Sequence, residues 1–195
     1  MRKVISLCVL MMTLLPLSGC FGGGEDQKAL DTALTIRTEY LAMETFSAQA
    51  ELTADYGRRV YTYGLSVTGG PEETLLTVTE PDLVAGVTAR LKAGESFLEY
   101  DTVCIETGPL TEDGLTPISA IPSLLDAVRS GYITTCGTDD TGAFRVDYGD
   151  PDLPAGTGTV YTLWFDSQSH ALLRGEVAKD GYRCIQCTFS SFTKE

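Results

Sequence analysis

Phe46-Ser47-Ala48-Gln49-Ala50-Glu51-Leu52-Thr53-Ala54 alternates apolar and polar residues without a break, the pattern of a strand with one buried and one wet face. Working outward, the period of two persists. Tyr61, Tyr63, Leu65 and Val67 share a parity after a turn at Asp55-Tyr56-Gly57-Arg58; Gly69-Gly70-Pro71 closes that strand, and Thr74 to Thr79 opens the next. After Glu80-Pro81, the residues Leu83, Ala85, Val87, Ala89 and Leu91 alternate through a further predicted strand. Lys92-Ala93-Gly94-Glu95 reads as a hairpin turn, followed by strands over 96–100 and 103–106. Strands resume over 132–136, 143–148, 160–165, 172–178 and 182–189, the last two joined by Asp180-Gly181, a two-residue hairpin pair.

Only two segments break this rhythm with a helical spacing. Ala29, Ala33, Ile36, Tyr40 and Met43 form one stripe, widened by Leu30, Leu34 and Leu41, and predict a helix over 26–44. Ile121, Leu124, Leu125 and Val128 predict a short helix over 118–129 that ends at Gly131, after a loop over 108–117 rich in Gly, Pro and acidic residues. The fold class is therefore α+β: one strongly curved antiparallel sheet, a half-barrel, whose concave face the two helices cover. Small inward positions at Ala48, Ala50, Ala54, Ala85 and Ala89 leave room for a helix or a ligand. The wall expected from strand parity comprises Phe46, Ala48, Ala50 and Leu52; Tyr61, Tyr63, Leu65 and Val67; Leu83, Ala85 and Val87; and Leu163 with Phe165. Apolar walls of this sort suit a ligand such as an acyl chain.

The N-terminus carries a different signal. Arg2-Lys3, the apolar run Val4 to Leu17 and the ending Leu17-Ser18-Gly19-Cys20 make a lipoprotein signal, in which the Cys20 thiol accepts diacylglycerol and cleavage precedes it. The competing reading, an uncleaved membrane helix, has to contend with a run shorter than the roughly 20 residues a span requires and with Pro16 near its end. The expected organisation is a signal over 1–19, lipidated Cys20 with a Gly-rich tether over 20–24, and a single domain over 25–195, anchored on the extracytoplasmic face of the cell membrane. Of the chain's 14 basic and 27 acidic residues, Arg2 and Lys3 leave with the signal, so the mature chain has 12 basic groups and a net charge of −15. That excludes nucleic acid and argues against docking on anionic headgroups, both of which require a basic patch.

Chemistry is sparse. His170, the sole histidine, sits in the turn-like Asp166-Ser167-Gln168-Ser169-His170 and reads as an exposed turn residue. Hydrolase, zinc-protease, P-loop and dinucleotide motifs are missing from the sequence, so no catalytic residue, cofactor or metal is assigned. Asp139, Asp140, Asp147, Asp150 and Asp152 crowd one region without the spacing of a calcium loop and read as a solvated acidic rim. Cys104, Cys136, Cys184 and Cys187 remain in the domain; they allow disulfides, with Cys104 and Cys136 able to pair if their strands are neighbours, or free core thiols. Cys184 and Cys187, three apart in a strand, should face opposite sides. Trp164 is read as core beneath a loop, with an outer-face position as the alternative.

Taken in order, the lipobox, helix, meander, central helix and final strand trio resemble the LolA/LolB/LppX-like proteins. The stretches that carry the resemblance are Tyr61 to Val67 with Leu75-Leu76-Thr77-Val78-Thr79-Glu80-Pro81-Asp82-Leu83-Val84-Ala85-Gly86-Val87, then Tyr100-Asp101. Tyr161-Thr162-Leu163-Trp164-Phe165-Asp166 follows, leading through Leu172-Leu173-Arg174-Gly175-Glu176-Val177 to Phe189-Ser190-Ser191-Phe192. The resemblance implies a half-barrel that shields lipid or lipoprotein acyl chains. One departure is that the basic residue such carriers place soon after the Pro-Gly of their third strand has only Arg90 as a candidate, further along. Because this chain is expected to be tethered, the nearer analogy is to Gram-positive lipoproteins, including the germination-associated ones of spore formers that bind a cell-wall amidase. Two functions follow as expectations: a tethered binder of an apolar ligand, or a non-enzymatic regulator that docks on a cell-envelope enzyme. A purely structural envelope role is the third.

Overall fold

The structure, a computed structural model, describes residues 23–92, 94–108 and 113–195. The expected signal, Cys20 and most of the tether lie outside the described residues. Helix α1 (Gly23–Ala42) leads into a meander of β1 (Phe46–Asp55), β2 (Val60–Gly69), β3 (Glu73–Glu80), β4 (Thr88–Lys92), β5 (Glu95–Tyr100) and β6 (Val103–Glu106). After α2 (Ala120–Ser130) come β7 (Ile133–Thr138), β8 (Phe144–Tyr148), β9 (Thr159–Phe165), β10 (Leu172–Lys179) and β11 (Tyr182–Lys194). All eleven strands form one antiparallel sheet in the order β6-β5-β4-β3-β2-β1-β11-β10-β9-β8-β7, left open with β6 and β7 as edges. The α+β class and the half-barrel with two helices read from the sequence are what the chain adopts.

Register carries the inward face from strand to strand. Ala48, Ala50 and Leu52 stand opposite Val67, Leu65 and Tyr63; Val67 continues to Leu76 and Ala89, Leu65 to Val78, and Leu91 lies opposite Thr74 on the same face. On the other flank Leu163 lies beside Val146 and Gly175. The Phe189 to Phe192 spacing would send the two rings to opposite faces of a regular strand, yet both are buried. A bulge at Ser190 resolves this: Gln49 pairs with Ser191 and Ala50 with Phe189, so parity resets and both rings enter the core.

The helices interlock at their C-termini. Arg37 of α1 donates from Nε to the Val128 carbonyl at 3.0 Å and from its other guanidinium nitrogen to the Gly131 carbonyl, while Arg129 of α2 donates to the Tyr40 carbonyl at 3.1 Å. Each cation meets carbonyls that a helix end leaves unpaired and complements the negative end of the dipole. The pair packs on β7, β9 and β10. Ala33, Ile36 and Tyr40 from α1, and Ile121, Leu124 and Val128 from α2, are fully buried against that half of the sheet. Leu30, Leu34 and Leu41, expected to widen the buried stripe of α1, are instead exposed, because the helix rests on a narrow line of contact.

Asp180 and Gly181 both have positive φ, 50° and 78°, the type I′ hairpin their sequence predicts. The β5–β6 hairpin uses the same backbone with Asp101 at φ 44° and Thr102 at φ 70°. A β-branched residue is strained there. Replacing Thr102 with Gly should raise stability by about 1 kcal/mol, seen as a higher urea midpoint; a lower midpoint would contradict the strain.

Candidate functional site

The concave face divides into a covered and an open half. Of the residues expected to line it, Phe46, Ala48, Ala50, Leu52, Leu65, Val67, Leu163 and Phe165 are buried, filled over by the helices and the aromatic cluster of Tyr40, Phe189 and Phe192. Phe46 stacks on Phe192 at 5.9 Å and lies across Gly69, its cross-strand partner. Tyr63 is half-buried and Tyr61 is 38% exposed; the two rings stack at 6.4 Å, and Tyr56 adds a third at 6.3 Å from Tyr61. Small Ala54 opposite Tyr61 and Leu52 opposite Tyr63 give these rings their room.

Leu83, Ala85 and Val87 do not belong to a strand that reaches from 83 to 91. Residues 81–86 form turns, in which Val84 N–H donates to Pro81 O and Val87 N–H to Val84 O, and Gly86 takes φ 87°. The strand begins only at Thr88, so Leu83 is 89% exposed and Ala85 sits in the turn. Only Val87, whose carbonyl accepts from Val78 N–H, continues the inward parity of Ala89 and Leu91.

In their place the register sets Ala89 and Leu91 beside residues of β5 and β6 that sequence reasoning passed over. Ala89 faces Leu98 and Leu91 faces Ser96; Leu98 faces Ile105 and Tyr100 faces Val103. These share the inward parity of Leu76 and Val78, yet Tyr100, Val103 and Ile105 are each more than half exposed. Their strands are short, which hid the alternation. The result is an apolar concave surface that opens toward the β6 edge: Leu65, Val67, Leu76 and Ala89 are buried, Val78, Leu91 and Leu98 are half-buried, and Tyr100, Val103 and Ile105 are exposed. At one mouth, a cleft of about 520 Å³ runs between α2 and the sheet, walled by Phe46, Leu91 and Leu125 and rimmed by Gly69, Pro122 and Arg129. Its size lies within the range of about 300–1,000 Å³ typical of small-molecule sites. A second cleft, about 540 Å³, lies on the opposite face under the 149–158 loop, against the outward-facing Asp147 and Val160.

The polar candidates have structural work. Arg90 points to the convex face, where it bonds Glu73 at 2.9 Å and Glu99 at 2.9 Å, so it is not a cavity residue. Trp164 is on the convex face too, not core: alternation buries Leu163 and Phe165, and the guanidinium carbons of Arg174 and Arg145 sit 4.6 and 5.5 Å from its ring centroid. Asp139 caps its own turn through Thr141 and Ala143 N–H, and Asp147 holds Arg145 and Thr135. Among the described residues, no three of His, Cys, Asp and Glu are arranged to hold a metal.

Cys104, Cys136, Cys184 and Cys187 are all free. Cys104 on β6 and Cys136 on β7 lie at opposite edges of the sheet, so the condition for their pairing is not met. Cys187 is fully buried, and burial alone pushes its thiol up to about 12. Cys184 falls at a bulge in β10–β11 pairing and is half-buried.

His170 is not an exposed turn residue. Its Nδ1 lies 2.8 Å from Glu39 Oε1, and Lys194 bonds the other Glu39 oxygen, so one carboxylate ties α1 to the 166–171 turn and to the end of β11. Burial raises the Glu39 pKa, but the hydrogen bonds from Lys194 and His170 outweigh it and hold the carboxyl below its usual range. A depressed carboxylate contributes stability above its unfolded pKa of about 4.3, lost as pH falls through the folded value. Glu39 is 37% exposed, which limits the effect to less than ~1 kcal/mol. Glu39→Gln should therefore lower stability at pH 7 and narrow the gap to wild type below pH ~4; a gap that widens with acid would contradict this.

Comparison with solved structures places this geometry. An uncharacterised conserved protein from Thermus thermophilus is 8% identical over 85% of this chain and 87% of its own, with a TM-score of 0.51. A DUF1329 family protein from Desulfovibrio piger is 10% identical over 88% and 93%, with a TM-score of 0.50. The lipoprotein LppX of Mycobacterium tuberculosis is also matched, 17% identical over 85% and 95%, with a TM-score of 0.46. The chain shares its fold with the Thermus thermophilus and Desulfovibrio piger proteins. At these identities the resemblance is one of fold alone. No family model matches the sequence, and no curated protein does.

Proposed function

We propose that the chain is a lipoprotein of the bacterial cell envelope, tethered through Cys20 at the extracytoplasmic face of the membrane, that holds an apolar ligand in the half-barrel. The ligand class is a lipid acyl chain. The reading rests on one observation: toward the β6 edge the concave face presents apolar side chains that are half-buried at Val78, Leu91 and Leu98 and exposed at Tyr100, Val103 and Ile105, while Ala48, Leu52, Leu65, Leu76 and Ala89 on the same face are buried. The surface is apolar, and the polar candidates around it are committed to structural contacts, so the proposed activity is binding without bond chemistry. No described helix is long and apolar enough to cross a membrane; the proposed tether is the lipid on Cys20, read from Leu17-Ser18-Gly19-Cys20. Ligand residues change accordingly: Phe46, Tyr61, Tyr63 and Val87 keep a place at the wall or rim of the open part, whereas Ala48, Ala50, Leu52, Leu65, Val67, Leu163 and Phe165 are buried and support it from beneath.

The test is mass spectrometry of lipid retained through gentle purification. A stoichiometric acyl-containing species is the expected result. A protein that carries none, and takes none up from vesicles, would move the function to the regulator of an envelope enzyme. Lipidation has its own check: Cys20→Ser should move the chain from the membrane fraction to the soluble fraction or leave the unprocessed precursor, and a wild-type chain found unmodified and soluble would contradict it.

A further inference from the structure

The two edges of the sheet are treated differently. α1 packs along β7, whereas all four residues of β6 are exposed and, among the described residues, no element pairs with its outer side. Thr107 N–H donates to Ser96 O, so in the alternation of an antiparallel ladder Val103 and Ile105 turn their backbone groups toward β5, and Cys104 and Glu106 turn theirs to solvent. Open edges are ordinarily blunted by short length, by charged residues, Lys above all, by Pro or by a bulge; β6 is short and carries Glu106 but has none of the other devices. Val103-Cys104-Ile105-Glu106 has neither Lys nor Pro, and its pairing with β5 is regular.

The surroundings select the occupant. Glu95, Asp101 and Glu106 flank this edge, and among the described residues the nearby carboxylate held in an ion pair is Glu99, by Arg90. With a net charge of −15 on the mature chain, a second copy would meet like charge. We propose that β6 accepts an extended, basic segment of a partner protein as a twelfth strand, its apolar side chains beside Val103 and Ile105 on the concave side and its Lys or Arg side chains beside Cys104 and Glu106 on the other. Main-chain bonds supply the affinity in strand addition, and the alternating side chains supply the selection. Val103 and Ile105 also border the surface proposed for the lipid, but strand addition uses the backbone groups of Cys104 and Glu106 and does not rest on that reading.

The probe is a short capped peptide of alternating Lys and Val, titrated against the full chain, with alternating Glu and Val as its counterpart. The Lys peptide should bind, with new hydrogen-exchange protection at the Cys104 and Glu106 amides and no change at Val103 and Ile105; the Glu peptide should not bind. Cys104→Pro removes an N–H that faces solvent, so the β5–β6 ladder is retained, and binding should fall at least tenfold. Glu106→Lys, which leaves the backbone alone, should also weaken the Lys peptide severalfold. Absence of binding by wild type, protection outside β6, or affinity unchanged in both variants would overturn the proposal. Self-association of the chain that Cys104→Pro abolishes would assign the edge to a second copy and overturn it as well.

Discussion

Tyr40→Ala should destabilise the chain by about 3–5 kcal/mol, the cost of deleting a large aromatic side chain from a filled core. Tyr40 is fully buried, meets Phe165 edge-on at 5.6 Å and Phe192 stacked at 5.8 Å, carries Lys194 Nζ 4.8 Å above its ring, and donates from its hydroxyl to the His170 carbonyl at 3.1 Å. It therefore joins α1 to β9, to β11 and to the turn that precedes β10. Tyr40→Phe keeps the ring and removes only the hydrogen bond, so it should cost about 1 kcal/mol. Chemical denaturation of both variants checks the claim. A small loss for Tyr40→Ala would mean that α1 contributes little to the folded state.

Gly175→Val should be as damaging, for the opposite reason. A Cβ at Gly175 would stand 2.5 Å from Leu124 Cδ1 and 3.1 Å from Cδ2, and Leu124 is fully buried, with nowhere to rotate. This glycine lets α2 seat directly on β10. Overpacking costs about 1–3 kcal/mol for one added group, which is the expectation for Gly175→Ala; the two further methyls of Val should lift α2 and exceed it. A double-mutant cycle separates contact from propensity. In Gly175→Ala with Leu124→Ala, the new methyl enters the space vacated by Leu124, so the double variant should be more stable than the sum of the two losses predicts. Strict additivity would show that the two positions do not meet.

Much of this architecture was legible because one face of each strand is buried and the other wet. Residues 46–54 announce β1 and, through their parity, the inward set of β2; the Asp180-Gly181 pair announces its hairpin. Where reading failed, a second physical cause produced the same pattern. Leu83, Ala85 and Val87 alternate like a strand, but Pro81-Asp82 and Gly86 at positive φ fold the segment into turns. The sequence cue was there in the Pro and the Gly, and the alternation overrode it. Phe189 and Phe192 hid a bulge, since periodicity alone cannot reset parity. Leu30, Leu34 and Leu41 have the spacing of a buried stripe, and only tertiary placement leaves them outside. The site was half legible: parity identified the concave face correctly, yet which half is covered depends on where two helices dock, and no local pattern encodes that. Trp164 and His170 were misplaced because their settings are made by residues distant in sequence, Arg174 and Arg145 for one and Glu39 for the other.

The central claim is that the open apolar part of the concave face, from the cleft at Leu91 toward β6, is a binding surface for an acyl chain. The most direct measurement is titration of a fluorescent fatty acid into wild type and Leu91→Glu, with the melting temperature of each recorded. Leu91 is half-buried at the cleft between α2 and the sheet, so a carboxylate there can reach solvent in the free protein but would be buried against a bound chain. Saturable uptake by wild type, weakened more than tenfold by Leu91→Glu at an unchanged melting temperature, is the predicted result. Equal uptake by the two proteins, or none by either, would contradict it.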